Sequence, residues 1–339
     1  MNIVKAEILW TRLCNLRCQY CNMYRTDASA NVKKDWELWK LGLRRLKDLD
    51  CGFTAVYGAE PLMDMNYLGD FFEETNNLGI YHTLISNCSL KDTKERITEL
   101  CNQGLKSLTV SFDGNEDELN DDSSSLKSGN GIETLRWFMK TFDYRDAAVV
   151  FTLTKTNLES ILKWIPVLSK EGIFVFFDLI HSDIGNPGTK CRNYEGIDEL
   201  LFSMEDADKL RKFAAQMIEM KKEGKYTIHQ SNTFLDVLHK TPERYINYEW
   251  NCAKDFGFPA WLSIDNDGLA RVCDDFYIKG EKDWYFWELT PEVFNGEYTE
   301  YWKEKTIQHC KGCFWNTHWD AHRIKQGDET FEDYVNNSL

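Results

Sequence analysis

The sequence predicts an α/β protein: a parallel sheet with helices outside it, arranged as a doubly wound sheet, a barrel or a partial barrel, and followed by a smaller module. Three observations carry this reading. Six short β-branched or aromatic runs recur along the first half of the chain, helix-period patterns stand between them, and near residue 245 both rhythms give way to crowded aromatics and a new set of cysteines.

The first strand is read over residues 3–10 and the helix after it over 35–49, where Trp36, Leu38, Trp39, Leu43, Leu46 and Leu49 recur near the helical period and Asp35 is placed to cap. Strands at 52–57, 81–86, 106–112 and 147–154 are followed by helices at 66–78, 91–103, 131–142 and 158–170. A sixth strand, 173–180, runs into a glycine-containing loop before a helix at 205–222, with Ser203 or Asp206 as its cap. Parallel strands need such crossovers, and the loops at their carboxyl ends share one rim, where α/β proteins place their chemistry. Beyond 245, the stretch WLSIDNDGLARVCDDFYI reads as a hairpin turning at Asn266-Asp267-Gly268.

At 339 residues the chain has room for one or two domains and a full core. A formal net charge of −15 disfavours nucleic acid and anionic membrane surfaces as partners and suits a neutral or cationic substrate. The opening residues lack a secretory signal and no segment reaches membrane-spanning length, so a cytoplasmic location is expected. In that reducing compartment eleven cysteines read as metal ligands, reactive thiols or core fillers rather than disulfides.

Directly behind the first strand, CNLRCQYC puts Cys14, Cys18 and Cys21 on one rim loop. Three thiolates can hold three irons of a [4Fe–4S] cluster and leave the fourth open to another molecule. A structural zinc would require a fourth ligand, and the nearest histidine is His82. Farther on, Cys252, Cys273, Cys310 and Cys313 could form an all-thiolate zinc site or a fully ligated Fe–S cluster; on chemistry alone zinc is the commoner choice. Cys51, Cys88 and Cys101 fall in core elements, whereas Cys191 and nearby His181 sit at the sixth strand's rim.

The spacing C-x3-C-x2-C, with the aromatic Tyr20 before the last cysteine, resembles the radical S-adenosylmethionine enzymes, and further marks follow in order on the strand ends. Gly58-Ala59-Glu60-Pro61 is similar to the family's G-G-E-P motif, whose backbone meets the methionine amino group, with alanine in place of the second glycine. Ser86 and Asn87 resemble the ribose-contacting position. Ser111 and Asp113 resemble the S-x-D-G strand end near the methionine carboxylate, and Asn157 the polar turn after strand five. The resemblance covers about residues 3–240 and implies a partial (β/α)6 TIM-like barrel over 1–240.

The same resemblance implies that S-adenosylmethionine chelates the open iron and is cleaved to a 5′-deoxyadenosyl radical, with a small ferredoxin or flavodoxin supplying the electron, since no G-x-G-x-x-G follows a strand. Residues 241–339 resemble the short twitch form of the family's SPASM-type module: C-x15-G-x4-C and a later C-x2-C would hold a second, auxiliary [4Fe–4S] cluster on a small β-hairpin and helix domain. A fully ligated cluster would accept the electron left on a substrate radical, and Asp274, directly after Cys273, is similarly placed to the aspartate that takes the substrate proton in sulfatase-maturing enzymes; Asp275 is its neighbour for comparison. The expected reaction is an oxidation, either of a small alcohol or amine or of a peptide. A redox-neutral epimerase using Cys191 as hydrogen donor, and a non-catalytic zinc or Fe–S sensor, stand as alternatives. With the first strand read from about residue 3, the leader-binding module that many peptide maturases carry is expected to be absent, which favours a small molecule or a peptide presented by a separate protein.

Overall fold

The structure, a computed structural model, describes residues 3–18, 20–21, 32–113, 129–142, 146–180, 197–257, 260–274, 276, 278 and 282–327, with only the backbone of 129 and 130. Cys191, His181 and Asp275 therefore lie outside the described residues.

Six parallel strands form in the predicted order: β1 (Lys5–Leu9), β2 (Phe53–Tyr57), β3 (Tyr81–Ser86), β4 (Ser107–Ser111), β5 (Asp146–Leu153) and β6 (Phe174–Leu179). The crossovers are α1 (Trp36–Asp48), α2 (Leu68–Leu78), α3 (Thr93–Asn102), α4 (Gly129–Phe142) and α5 (Leu158–Lys170), and α6 (Ala207–Lys222) follows β6. Neighbours pair in sequence order, and the curved sheet stays open beyond β6, as a partial barrel does. Outward-facing Ile8, Val56, Leu84, Leu108, Val149, Val175 and Phe177 pack with helix residues such as Leu43, Phe72, Leu100, Leu135 and Ile161 into one buried cluster.

Local sequence accounts for several boundaries. The Asp35 carboxylate accepts from the Glu37 and Leu38 amides and starts α1 as expected. Ser203 and Asp206 cap each other across the turn that leads into α6.

After α6 come α7 (Asn232–Lys240), α8 (Glu243–Ile246) and α9 (Cys252–Phe256). Next is the predicted hairpin, β7 (Trp261–Ile264) and β8 (Ala270–Arg271). Its turn closes through the Gly268 amide on the Asp265 carbonyl at 2.8 Å; Gly268 has φ +88°, and a Cβ there would lie 2.1 Å from the Trp287 ring. The hairpin extends the barrel sheet: β7 lies parallel beside β1, so among the described residues the sheet has eight strands in the order β6-β5-β4-β3-β2-β1-β7-β8.

The chain then folds back over the barrel. Phe286 lies against Trp39 at 5.1 Å, where a Cβ on Gly42 would meet it at 2.1 Å. The short α10 (Pro291–Val293) passes through a π-helical turn into α11 (Thr299–His309), and α12 (Asn316–Gln326) ends the described chain. Residues Asn316 to His322 of α12 are all buried, and Gly327 terminates the helix at φ +80°.

Candidate active site

The carboxyl ends of the strands surround a cavity of about 270 Å³. Of the residues singled out from sequence, Cys14, Cys18, Tyr20, Cys21, Gly58, Ala59, Asn87, Ser111 and Asp274 line it. Glu60, Ser86, Asp113 and Asn157 are buried and hydrogen-bonded outside this lining, and buried Pro61 begins a short 3-10 turn after Glu60.

The thiol loop is fastened at both ends. Its stem pairs with the loop after β2: the Ala59 amide donates to the Thr11 carbonyl at 3.1 Å and the Glu60 amide to the Leu13 carbonyl at 2.8 Å. Gly58 allows that approach, since a Cβ on it would lie 2.6 Å from the Thr11 carbonyl oxygen and its φ of +153° disfavours a side chain. At the far end the Tyr20 hydroxyl donates to Asp113, whose other oxygen accepts from the Thr152 amide at 3.0 Å. Asn157 secures the same corner, donating to the Asp113 and Thr152 carbonyls at 3.1 and 2.8 Å.

Glu60 is fully buried and binds protein donors with both oxygens: the Ser86 hydroxyl and Asn87 amide at 2.8 Å each, and the Leu62 amide at 3.1 Å. Burial pushes its carboxyl up to about 7, against the pull of these three donors. Ser86 is thus spent on Glu60, while the Asn87 side-chain Nδ2 donates to Asn15 Oδ1 at 3.2 Å beside Cys14. Burial also pushes the Cys14 thiol up to about 11, so loading a metal here releases a proton.

Three features of the cavity escaped sequence reasoning. Arg12 and Arg271 both donate to the buried Asp265, linking the thiol-loop stem to the β7–β8 hairpin. Burial raises the Asp265 carboxyl, but the two guanidiniums outweigh it and hold the group below its usual range. Second, Glu7 and Asp178 join Asp274 on the wall. Glu7 pairs with Lys5 at 2.9 Å and sits in register with Ser263, whose hydroxyl donates to Asp274. Burial pushes Glu7 up to about 8; Lys5 opposes the shift, and Asp274 and Asp178 add to it. Third, Trp315 closes one side. A period-2 reading of β1 would have flagged Lys5 and Glu7 as charges facing the barrel interior.

Within the second thiol set, Cys252 and Cys310 lie near each other. Cys252 begins α9 under an Asn251 cap, and Asn251 also donates to the Cys310 carbonyl at 3.3 Å. Burial pushes Cys252 up to about 12, with Cys310 close enough to add to the shift. The Cys313 amide donates to the Trp250 carbonyl at 2.8 Å, and Gly312 is required there, since a Cβ would lie 2.4 Å from the Tyr248 carbonyl oxygen. Cys273 follows β8. Among the described residues no three cysteine, histidine or acidic side chains converge on one metal ion.

Comparisons with known proteins bear on the fold. Residues 8–165 match the family model described as Radical SAM superfamily. The PqqA peptide cyclase of Bradyrhizobium diazoefficiens is 29% identical over 130 residues, 38% of this chain, and the match spans only about a third (33%) of that enzyme's length. The cysteine-type anaerobic sulfatase-maturating enzyme of Clostridium novyi is 22% identical over 89% of this chain and 82% of its own. The crystal structure of Streptococcus suis SuiB bound to S-adenosylmethionine superposes with a TM-score of 0.65 at 16% identity, over 98% of this chain and 76% of that one. Native anSMEcpe with bound AdoMet and Kp18Cys peptide gives 0.64 at 16% identity over 99% of both chains. These likenesses establish the shared fold. Among the described residues no helix is long and apolar enough to cross a membrane.

Proposed function

We propose that this chain, which carries a radical SAM domain over residues 8–165, is an oxidising radical enzyme acting on a peptide, with a [4Fe–4S] cluster on Cys14, Cys18 and Cys21 and an auxiliary one on Cys252, Cys273, Cys310 and Cys313. The division into a barrel over 1–240 and a cluster module over 241–339 belongs to this reading. Its main support is the single cavity in which three thiols, a close-approach glycine loop, Asn87, Ser111 and Asp274 all meet. The relatives named for peptide cyclisation and sulfatase maturation support a peptide over a small alcohol or amine.

When bound, the first cluster and S-adenosylmethionine supply a 5′-deoxyadenosyl radical that can take hydrogen from an unactivated carbon. The protein's own contribution is placement. The Gly58–Ala59 backbone would offer polar groups to the methionine end of the cofactor, and Asn87 and Ser111, on the same cavity wall, would hold its ribose and carboxylate. Tyr20 and Asp113 keep the thiol loop against β4. Asp274, held by Ser263, accepts the proton that the substrate carbon loses on oxidation. The electron enters from a small ferredoxin or flavodoxin.

The test uses protein purified without oxygen and incubated with S-adenosylmethionine and dithionite. Formation of 5′-deoxyadenosine that vanishes in Cys14→Ala/Cys18→Ala/Cys21→Ala supports the reading, and its absence from the wild type overturns it. With a substrate in hand, a product of unchanged mass would favour the redox-neutral reaction that assigns Cys191 as hydrogen donor.

A further inference from the structure

Among the described residues no strand lies along the outer edge of the last parallel strand, β6, beyond one parallel bridge from Val175 to Ile228, so its other peptide groups on that edge require other partners. Along its lower half the Val175 amide donates to the Thr227 carbonyl at 2.8 Å and the His229 amide to the Val175 carbonyl at 2.9 Å. Toward the cavity, side chains take over. Gln230 donates to the Phe177 carbonyl at 2.7 Å. Asn316, 1% exposed, donates to that same carbonyl at 2.9 Å and accepts from the Leu179 amide at 3.4 Å. Its second N–H reaches Asp178 Oδ1 at 3.2 Å. A carboxamide carries donor and acceptor as a peptide group does, so Asn316 replaces a missing strand over one residue pair.

What it holds faces the reaction space. The cofactor-side residues of the cavity come from the ends of β1 to β4, whereas Asp178, Leu179 and Ile180 line the remaining wall. Asn316 also begins α12, next to the cavity residue Trp315, with Phe314 between that tryptophan and Cys313. Farther along α12, Asp320 accepts from Ser231, the cap of α7, at 2.5 Å, which ties the helix to α7 as well.

We infer that Asn316 is a positioning residue: its carboxamide fixes Asp178 and the upper edge of β6 at the substrate wall and ties that wall to the C-terminal thiol set through Trp315 and Phe314. This rests on the reading of that set as cluster ligands. Loading the cluster fixes Cys313, Cys313 fixes the start of α12, and the start of α12 fixes the wall.

The experiment is hydrogen exchange on the full, cluster-loaded chain without oxygen, read at the Leu179 amide against the amides of β1. Asn316→Ala removes the acceptor and is expected to speed exchange at Leu179 about three- to tenfold, the loss of one buried hydrogen bond, with β1 unchanged. Asn316→Asp keeps the acceptor but loses both donors and sets a carboxylate against the Phe177 carbonyl and Asp178, so it is expected to speed exchange at Leu179 at least as much, again with β1 unchanged. General destabilisation would move both strands together, and that result overturns the assignment. Cys310→Ala/Cys313→Ala is expected to speed Leu179 exchange in the wild-type background and to add nothing in the Asn316→Ala background. Additive effects, or none from the cysteines, overturn the coupling. The formation of 5′-deoxyadenosine, measured on the same wild-type sample, separates failure of this inference from failure of the proposed function.

Discussion

Arg12 and Asp265 form a buried ion pair across 253 positions of the chain, with one guanidinium nitrogen 2.5 and 2.7 Å from the two carboxylate oxygens. Arg271 binds the same carboxylate. One anion thus balances two cations between the thiol loop and the C-terminal hairpin. Asp265→Ala would remove the buried carboxylate that both guanidiniums bind and is expected to cost about 3–5 kcal/mol in urea unfolding. Arg271→Met leaves the Arg12 pair intact and should cost less than half as much. Equal losses would contradict the shared-anion account.

Gly58 is the tightest contact on the cofactor side. Gly58→Ala places a methyl 2.6 Å from the Thr11 carbonyl at a φ of +153°. Strain of about 1–3 kcal/mol at this loop should weaken S-adenosylmethionine binding about five- to a hundredfold, read by equilibrium dialysis. Ala59→Gly, which only removes a methyl, should change it little.

Iron content separates the two thiol sets. Protein prepared without oxygen should carry about eight irons per chain, falling to about four when Cys14, Cys18 and Cys21 are replaced, and to about four when Cys252, Cys273, Cys310 and Cys313 are replaced. Zinc at the second set would remove the electron acceptor from the proposed reaction.

Glu7 sets a pH dependence of stability. Its carboxyl rises from the usual 4.5 to about 8 on folding, chiefly by burial, so between those values the folded chain holds a proton that the unfolded chain has lost. Stability therefore falls as pH rises from about 4.5 to about 8. Glu7→Gln, which carries no titrating proton, should flatten that decline in denaturant midpoints measured across the window. An unchanged slope would mean that Lys5 and solvent leave Glu7 ionised throughout.

Much of the fold was legible because it is written in local patterns. Each βα unit has its own period of apolar residues, and Asp35 and the Ser203–Asp206 pair mark starts that the structure keeps. Helix α12 was not legible: it is buried on nearly all sides, so Asn316, His318, Asp320 and His322 occupy interior positions and no apolar stripe betrays a helix. Only Gly327 at its end gave a local sign. The parallel pairing of β7 with β1 was equally hidden, because a hairpin's turn fixes its inner register and says nothing about which strand lies outside it.

The sequence alone determined the order of the strands, the three-thiol loop behind β1 and the motif residues on the strand ends, since a ligand loop and a strand period are properties of a few consecutive residues. Tertiary structure decided which distant groups meet: Arg12 with Asp265 and Arg271, Glu7 beside Ser263 and Asp274, Asn316 on the edge of β6. Such meetings depend on how the sheet curves and where the returning chain docks. Those are set by packing summed over the whole core, which no single stretch encodes.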